Sequence, residues 1–234
     1  MIAFHDYVAA DRLCQAAVVR PDAAEPRPAV LIAPTIRGPT DQEIAVAERL
    51  AQLGHVAIVI DLYGRDRRGL APEAARAEMD ALLADRALLR RRLLGALDFA
   101  RTVPGVDASR LAVIGYCFGG LCALDAARAG AADLRGVVSI HGVFPPLPPA
   151  LAAEIRAKVL VLHGWDDPLA GPDAVRALAD EMTAAGVDWQ IHLHGGVGHS
   201  FTNPQAAAPG MAYHPDADRR SFEALLAFLA ELFR

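Results

Sequence analysis

Cysteine is scarce in this chain of 234 residues: there are three, Cys14, Cys117 and Cys122. An odd number at unpaired spacings excludes a disulfide scaffold and suits a reducing compartment. Aromatic side chains supply only 6% of residues although 53% are hydrophobic, so the core must be built from Ala, Val, Leu and Ile. That is the composition of helices packed on a buried parallel sheet. Neither sign of charge dominates: Lys and Arg total 23, Asp and Glu 28, and the net charge is −5. Without a basic stripe, a nucleic-acid partner is not expected. No apolar run approaches the roughly 18–20 residues of a membrane span, and Met1 to Asp6 show no basic segment followed by an apolar one. A cytoplasmic location, with no membrane partner, is expected. Internal repeats, low-complexity tracts and linkers are also missing, so residues 1–234 are expected to form a single domain.

What the chain does have is alternation. Residues 1–20 read as one or two edge strands and 21–28 as a proline-rich turn. Residues 29–33 form a buried strand, followed by a helix from Asp41, read as its cap, to Leu53. Residues 55–60 make the next strand, closing in Asp61-Leu62-Tyr63-Gly64. From Pro72 to Thr102 the pattern is helical, as two helices or one broken one, and 103–107 turns the chain. Strands follow at 111–114, 134–140, 158–162 and 189–194. Helices follow at 172–185 and 216–233, the last with Phe222, Leu225, Leu226, Leu229 and Phe233 on one stripe. Such alternation builds βαβ units. The predicted fold class is α/β, a mostly parallel central sheet flanked by helices on both faces.

The stretch that carries chemistry is Gly115-Tyr116-Cys117-Phe118-Gly119-Gly120, between a strand and a helix. It is the G-x-nucleophile-x-G elbow with cysteine in the nucleophile position. The sharp turn strains the nucleophile, and glycines two residues either side let backbone pass without a Cβ clash. The helix N-terminus behind the thiol favours its anion.

Ligands of open α/β sheets bind beyond the carboxyl ends of the strands. Cys117, Asp167 and His199 all fall there, in the order nucleophile, acid, histidine, which is the chain order of α/β-hydrolases. In those roles Cys117 attacks, His199 moves the proton, and Asp167 fixes the imidazole tautomer. Asp166 competes with Asp167. The latter is favoured because it lies three residues after Gly164 and directly before Pro168. The oxyanion needs two backbone donors, expected from Phe118 and from Ile36 in the loop after the 29–33 strand.

Gly-Tyr-Cys-Phe-Gly-Gly, His-Gly-Trp-Asp-Asp-Pro, Gly-His-Ser-Phe-Thr-Asn-Pro and Asp61-Leu62-Tyr63-Gly64 together resemble the dienelactone hydrolase (carboxymethylenebutenolidase) family, over nearly the whole chain. The resemblance implies an α/β-hydrolase fold without a large lid, a Cys-Asp-His triad, and an acyl-enzyme route for hydrolysing a small ester or lactone in aromatic-compound degradation. It implies no metal or organic cofactor. Two positions depart from the family. Thr35 stands where the family carries a glutamate that helps the thiol ionise, which leaves that task to His199 and the helix dipole. Asn203 stands where the family carries an arginine for the substrate carboxylate. Arg37 is the candidate to replace that charge, and Arg76 the candidate match for a second arginine. Thr35, Arg37, Tyr63, Trp165 and Asn203 are thus the expected substrate contacts, and a monomer or small homo-oligomer is expected.

Plainer readings apply elsewhere. Cys122 reads as a core residue and Cys14 as an ordinary strand residue. His141 and His163 end strands near the site and read as structural. His192 and His194 alternate on one strand but lack a third ligand, so no metal is expected. Arg86, Arg90, Arg91 and Arg92 read as the solvated face of a helix. Two other functions fit the same motifs: a broader carboxylesterase or thioesterase, favoured by Thr35 and Asn203, and a redox-responsive or ligand-binding protein without turnover.

Overall fold

The apolar runs become strands: β1 (Ile2–Ala9), β2 (Arg12–Val19), β3 (Arg27–Ala33), β4 (Val56–Val59), β5 (Val106–Tyr116), β6 (Leu134–Ile140), β7 (Lys158–Gly164) and β8 (Trp189–His194). The computed structural model describes residues 2–151 and 153–234 and joins these eight into one sheet, in the order β1-β2-β4-β3-β5-β6-β7-β8. From β4 through β8 neighbouring strands are parallel. The β1–β2 hairpin joins that block antiparallel, through β2 and β4.

Alternation along each strand divides the core in two. In β5, Leu111 and Val113 enter one apolar cluster, while Ala112, Ile114 and Tyr116 enter the other. The first cluster is covered by α2 (Pro72–Ala84), α3 (Arg86–Thr102), α4 (Phe118–Arg128) and α5 (Pro172–Ala184). The second is covered by α1 (Asp41–Gln52) and α6 (Pro215–Leu232). A sheet buried on both faces needs apolar residues at every position, which is why β3 and β4 read as unbroken runs. Among the described residues no helix is long and apolar enough to cross a membrane.

Several boundaries differ from expectation. Thr40, not Asp41, caps α1: its Oγ1 accepts the Gln42 N–H, and the Glu43 carboxylate returns to the Thr40 N–H. A capping box needs its hydroxyl outside the first turn, a position Thr40 occupies and Asp41 does not. The helical region 72–102 takes the first of its two expected forms, two helices divided at Asp85, whose side chain caps α3 through the Leu88 N–H. β5 begins at Val106, inside the expected turn, because Val106 pairs with Arg27. The α3 arginines are not a solvated face. Arg86 chelates Asp125, Arg92 donates to the Leu62 carbonyl and to Asp11, and Arg90 donates to the Leu151 and Ala129 carbonyls. Only Arg91 of the four is exposed. Guanidiniums can be buried here because carboxylates and backbone carbonyls meet them.

Candidate active site

The carboxyl ends of β3, β5, β7 and β8 bring the candidate residues together. Cys117 sits between β5 and α4 at φ 55°, ψ −116°, a conformation that only a tightly fixed turn sustains. What fixes it is the absence of two Cβ atoms. A Cβ on Gly115 would lie 1.9 Å from the Gly119 carbonyl oxygen, and one on Gly119 would lie 2.1 Å from that of Ala33. The close passage that results presses the elbow against the loop after β3. Cys117 remains partly exposed, whereas Cys14 and Cys122 are buried. Burial pushes the Cys122 thiol well above its ordinary value and the Cys14 thiol up to about 12, which leaves both inert.

Asp167 and His199 come from the loops after β7 and β8. His199 Nδ1 lies 2.7 Å from Asp167 Oδ2, and both side chains are buried. The other carboxylate oxygen, Oδ1, accepts the Leu169 N–H at 2.8 Å. His199 Nε2 is buried without a hydrogen-bond partner among the described residues. Burial alone would lower the pKa of His199, but the Asp167 hydrogen bond and the neighbouring Cys117 sulfur outweigh it and raise the value to about 9. Asp166 is exposed and its backbone N–H donates to the Val197 carbonyl, so of the two aspartates Asp167 is the one that meets His199.

Phe118 opens α4 and Ile36 lies in the loop after β3; neither N–H has an acceptor among the described residues. Tyr63 braces both. Its hydroxyl donates to the Ile36 carbonyl at 3.2 Å, and its ring stacks on Phe118 with centroids 6.2 Å apart. Tyr63 is buried, so it stands behind the two donors and does not line an open pocket. Thr35 is tied by its backbone: its N–H donates to Glu43 Oε1 at 3.2 Å, while Glu43 Oε2 accepts the Thr40 N–H at 2.9 Å. One buried carboxylate thus pins both ends of the loop that presents Ile36. Arg37 and Trp165 are exposed. Asn203 is partly buried, and its Oδ1 accepts the Gln205 N–H, a local turn that leaves no charge there. Arg76 lies exposed on α2.

Three residues near the site were not assigned roles from sequence. Glu43 looks like an ordinary capping residue, and its reach to Thr35 depends on the fold. His163 Nε2 meets the Ala170 carbonyl at 2.8 Å and holds the loop that carries Asp167. His141 Nδ1 lies 3.2 Å from the Cys117 N, and its Nε2 lies 2.9 Å from Thr202 Oγ1. The placement of both histidines at strand ends was visible; their partners were not. His194 Nε2 meets Ser221 Oγ rather than pairing with His192.

A strained cysteine over a helix N-terminus, facing a buried histidine–aspartate pair, is a hydrolase geometry. The pattern of the dienelactone hydrolase family matches residues 14–233. The chain belongs to that family. It is accordingly a hydrolase of esters or lactones, with an α/β-hydrolase fold and no large additional domain. Among solved structures it is similar to a dienelactone hydrolase-like promiscuous phosphotriesterase from metagenomic libraries, with 36% identity, a TM-score of 0.95, and coverage of 100% of this chain and 99% of that one. It is also similar to an uncharacterized protein of Caenorhabditis elegans, 39% identical over 62% of this chain and 94% of that protein. The carboxymethylenebutenolidase of Pseudomonas putida is 28% identical over 92% of this chain and 91% of its own length.

Proposed function

We propose that this dienelactone hydrolase family member cleaves a small ester or lactone through a Cys117–His199–Asp167 triad and an acyl-enzyme, acting as one domain. The observation that carries the reading is the 2.7 Å buried contact between His199 and Asp167, with Nε2 of the same ring left unpartnered beside Cys117. His199 Nε2 takes the Cys117 thiol proton as the sulfur attacks the carbonyl carbon. The oxygen takes the negative charge, and the Phe118 and Ile36 N–H groups stabilise it. As the tetrahedral centre collapses, His199 Nε2 gives its proton to the leaving oxygen, which in a lactone stays tethered to the acyl group. Water then attacks the thioester, His199 takes a proton from it, and the carboxylic acid leaves as His199 returns that proton to the Cys117 sulfur.

Substrate breadth is the second matter. Thr35 and Asn203 supply no charge where the family places a glutamate and an arginine, and the Asn203 amide oxygen is engaged with Gln205. This supports a broader specificity than a dienelactone carboxylate would require, with exposed Arg37 next to Ile36 in the oxyanion loop. The similarity to a structure named a promiscuous phosphotriesterase points the same way. The test is initial rates on dienelactone, p-nitrophenyl acetate and a phosphotriester for wild type and Cys117→Ala. Turnover of the neutral ester that exceeds that of dienelactone, and is lost in the variant, supports the broad reading. Dienelactone as the preferred substrate reverses the specificity proposal, and full activity in Cys117→Ala refutes the nucleophile.

A further inference from the structure

His141 has no place in the mechanism above, yet it touches both halves of the site. It follows β6 at φ 37°, in the left-handed region that non-glycine residues rarely enter. Such a conformation persists only where the surroundings over-determine it. Here the His141 N–H donates to the Leu162 carbonyl at 2.9 Å. Gly142 beyond it lies so close to α4 that a Cβ there would sit 3.2 Å from the Gly120 Cα. The imidazole is buried, with Nε2 toward Thr202 Oγ1 and Nδ1 accepting, at 3.2 Å, the Cys117 N–H that the Ile140 carbonyl shares at 3.1 Å. An Nδ1 that accepts an N–H carries no proton itself. The ring proton is therefore on Nε2 and Thr202 Oγ1 accepts it.

We propose that His141 is a positioning residue: a neutral imidazole that clamps the backbone of the nucleophile to the loop carrying His199. This rests on the Cys117–His199 reading. The groups facing the ring are Tyr116 from β5, Cys117 from the elbow, His163 from β7, and His199, Phe201 and Thr202 from the loop after β8. The His141 and His199 rings meet edge to face with centroids 5.0 Å apart. Burial, and then the charge on His199, hold the pKa of His141 well below its ordinary value. A second proton would set Nδ1–H against the Cys117 N–H, two donors facing each other, and break the side-chain half of that shared bond, leaving the Ile140 carbonyl as its acceptor. His199 can thus cycle between cation and base while its neighbour stays neutral and fixed.

The experiment measures kcat, KM and the pH profile of iodoacetamide alkylation of Cys117, on full-length variants with p-nitrophenyl acetate as substrate. His141→Ala is expected to lower kcat about 10–100-fold with KM changed less than about threefold, the signature of misplaced reacting groups. It should also move the half-maximal pH of alkylation. His141→Asn puts an amide oxygen where Nδ1 stood and tolerates the left-handed backbone, so it is expected to recover most of the lost kcat. A folded His141→Ala with wild-type kcat, or a His141→Asn no better than His141→Ala, overturns the proposal. Should His141→Ala fail to fold, Thr202→Val removes only the acceptor of Nε2–H. A drop in kcat of about 3–10-fold at constant KM supports the clamp, and an unchanged kcat overturns it. Cys117→Ala separates the two readings: if it retains turnover the triad itself fails, whereas a dead Cys117→Ala beside a normal His141→Ala sinks the clamp alone.

Discussion

Replacing Asp167 by asparagine keeps the shape and removes the charge. The side chain is fully buried, so no water replaces what is lost. Asparagine Oδ1 can still accept the Leu169 N–H, but its amide then presents hydrogens to His199 Nδ1. The ring must answer with a bare Nδ1 and a proton on Nε2, and in that tautomer it cannot take a proton from the thiol. The rise of the His199 pKa from 6.5 to about 9 represents about 3 kcal/mol of extra proton affinity. Burial opposes it, and the Asp167 hydrogen bond is the largest contribution in its favour. Losing that interaction costs on the order of 100-fold, and the wrong tautomer extends the loss toward the ~10⁴-fold seen for the same change in serine triads. We expect kcat/KM on p-nitrophenyl acetate to fall about 10²–10⁴-fold.

The pH dependence is a second readout of the same substitution. A raised folded-state pKa contributes stability that is fully present below about 6.5 and lost as pH rises through about 9. The difference in Tm between wild type and Asp167→Asn should therefore be largest in acid and shrink across that window. Asp166→Asn, at the exposed neighbour, serves as the comparator and should hold wild-type rates. A folded Asp167→Asn within about fivefold of wild type, or a Tm difference constant from pH 6 to pH 10, would refute the reasoning.

Gly119→Ala would set a Cβ 2.1 Å from the Ala33 carbonyl oxygen and push the elbow off the oxyanion loop; kcat should fall about 100-fold or more, measured beside the melting curve. Asp125→Ala strips the carboxylate shared by buried Arg86 and Arg128. Leaving buried guanidinium charge uncompensated costs about 3–5 kcal/mol, a Tm drop of about 10–15 °C at this chain length, and calorimetry showing less than a few degrees would contradict it. His163 is held neutral by burial, its pKa lowered. Stability is thus lost as pH falls below about 6.5, when only the unfolded chain takes up the proton. His163→Gln, which cannot titrate, should lose less Tm than wild type between pH 7 and pH 5.

How much of this was legible beforehand follows from the range of the forces involved. The parallel sheet could be read from sequence because burial on both faces demands unbroken Val, Ile and Leu runs, and such runs are visible one strand at a time. The elbow could be read because its steric requirement is local: Gly115 and Gly119 flank Cys117 within five residues. Asp167 and His199 stood out as candidates because each lies in the loop after a strand, and those loops share one edge of an α/β sheet. The α1 cap was misplaced by one residue, since Thr40 and Asp41 differ as caps only in which side of the first turn their oxygen lies.

What the tertiary structure decided are contacts between segments far apart in sequence. The α3 arginines resemble a solvated stripe until Asp125 and Asp11 arrive from other elements to meet Arg86 and Arg92. Tyr63 is a plausible pocket residue until its hydroxyl is seen to hold the Ile36 carbonyl, 27 residues away in sequence. His141 joins Cys117 and Thr202, 24 and 61 residues distant. Local sterics and periodic burial are written along the chain, so the sequence by itself determined the sheet, the elbow and the candidates for the reacting groups. Hydrogen bonds that fix those groups depend on distances between loops of different strands, and only the closed fold sets them.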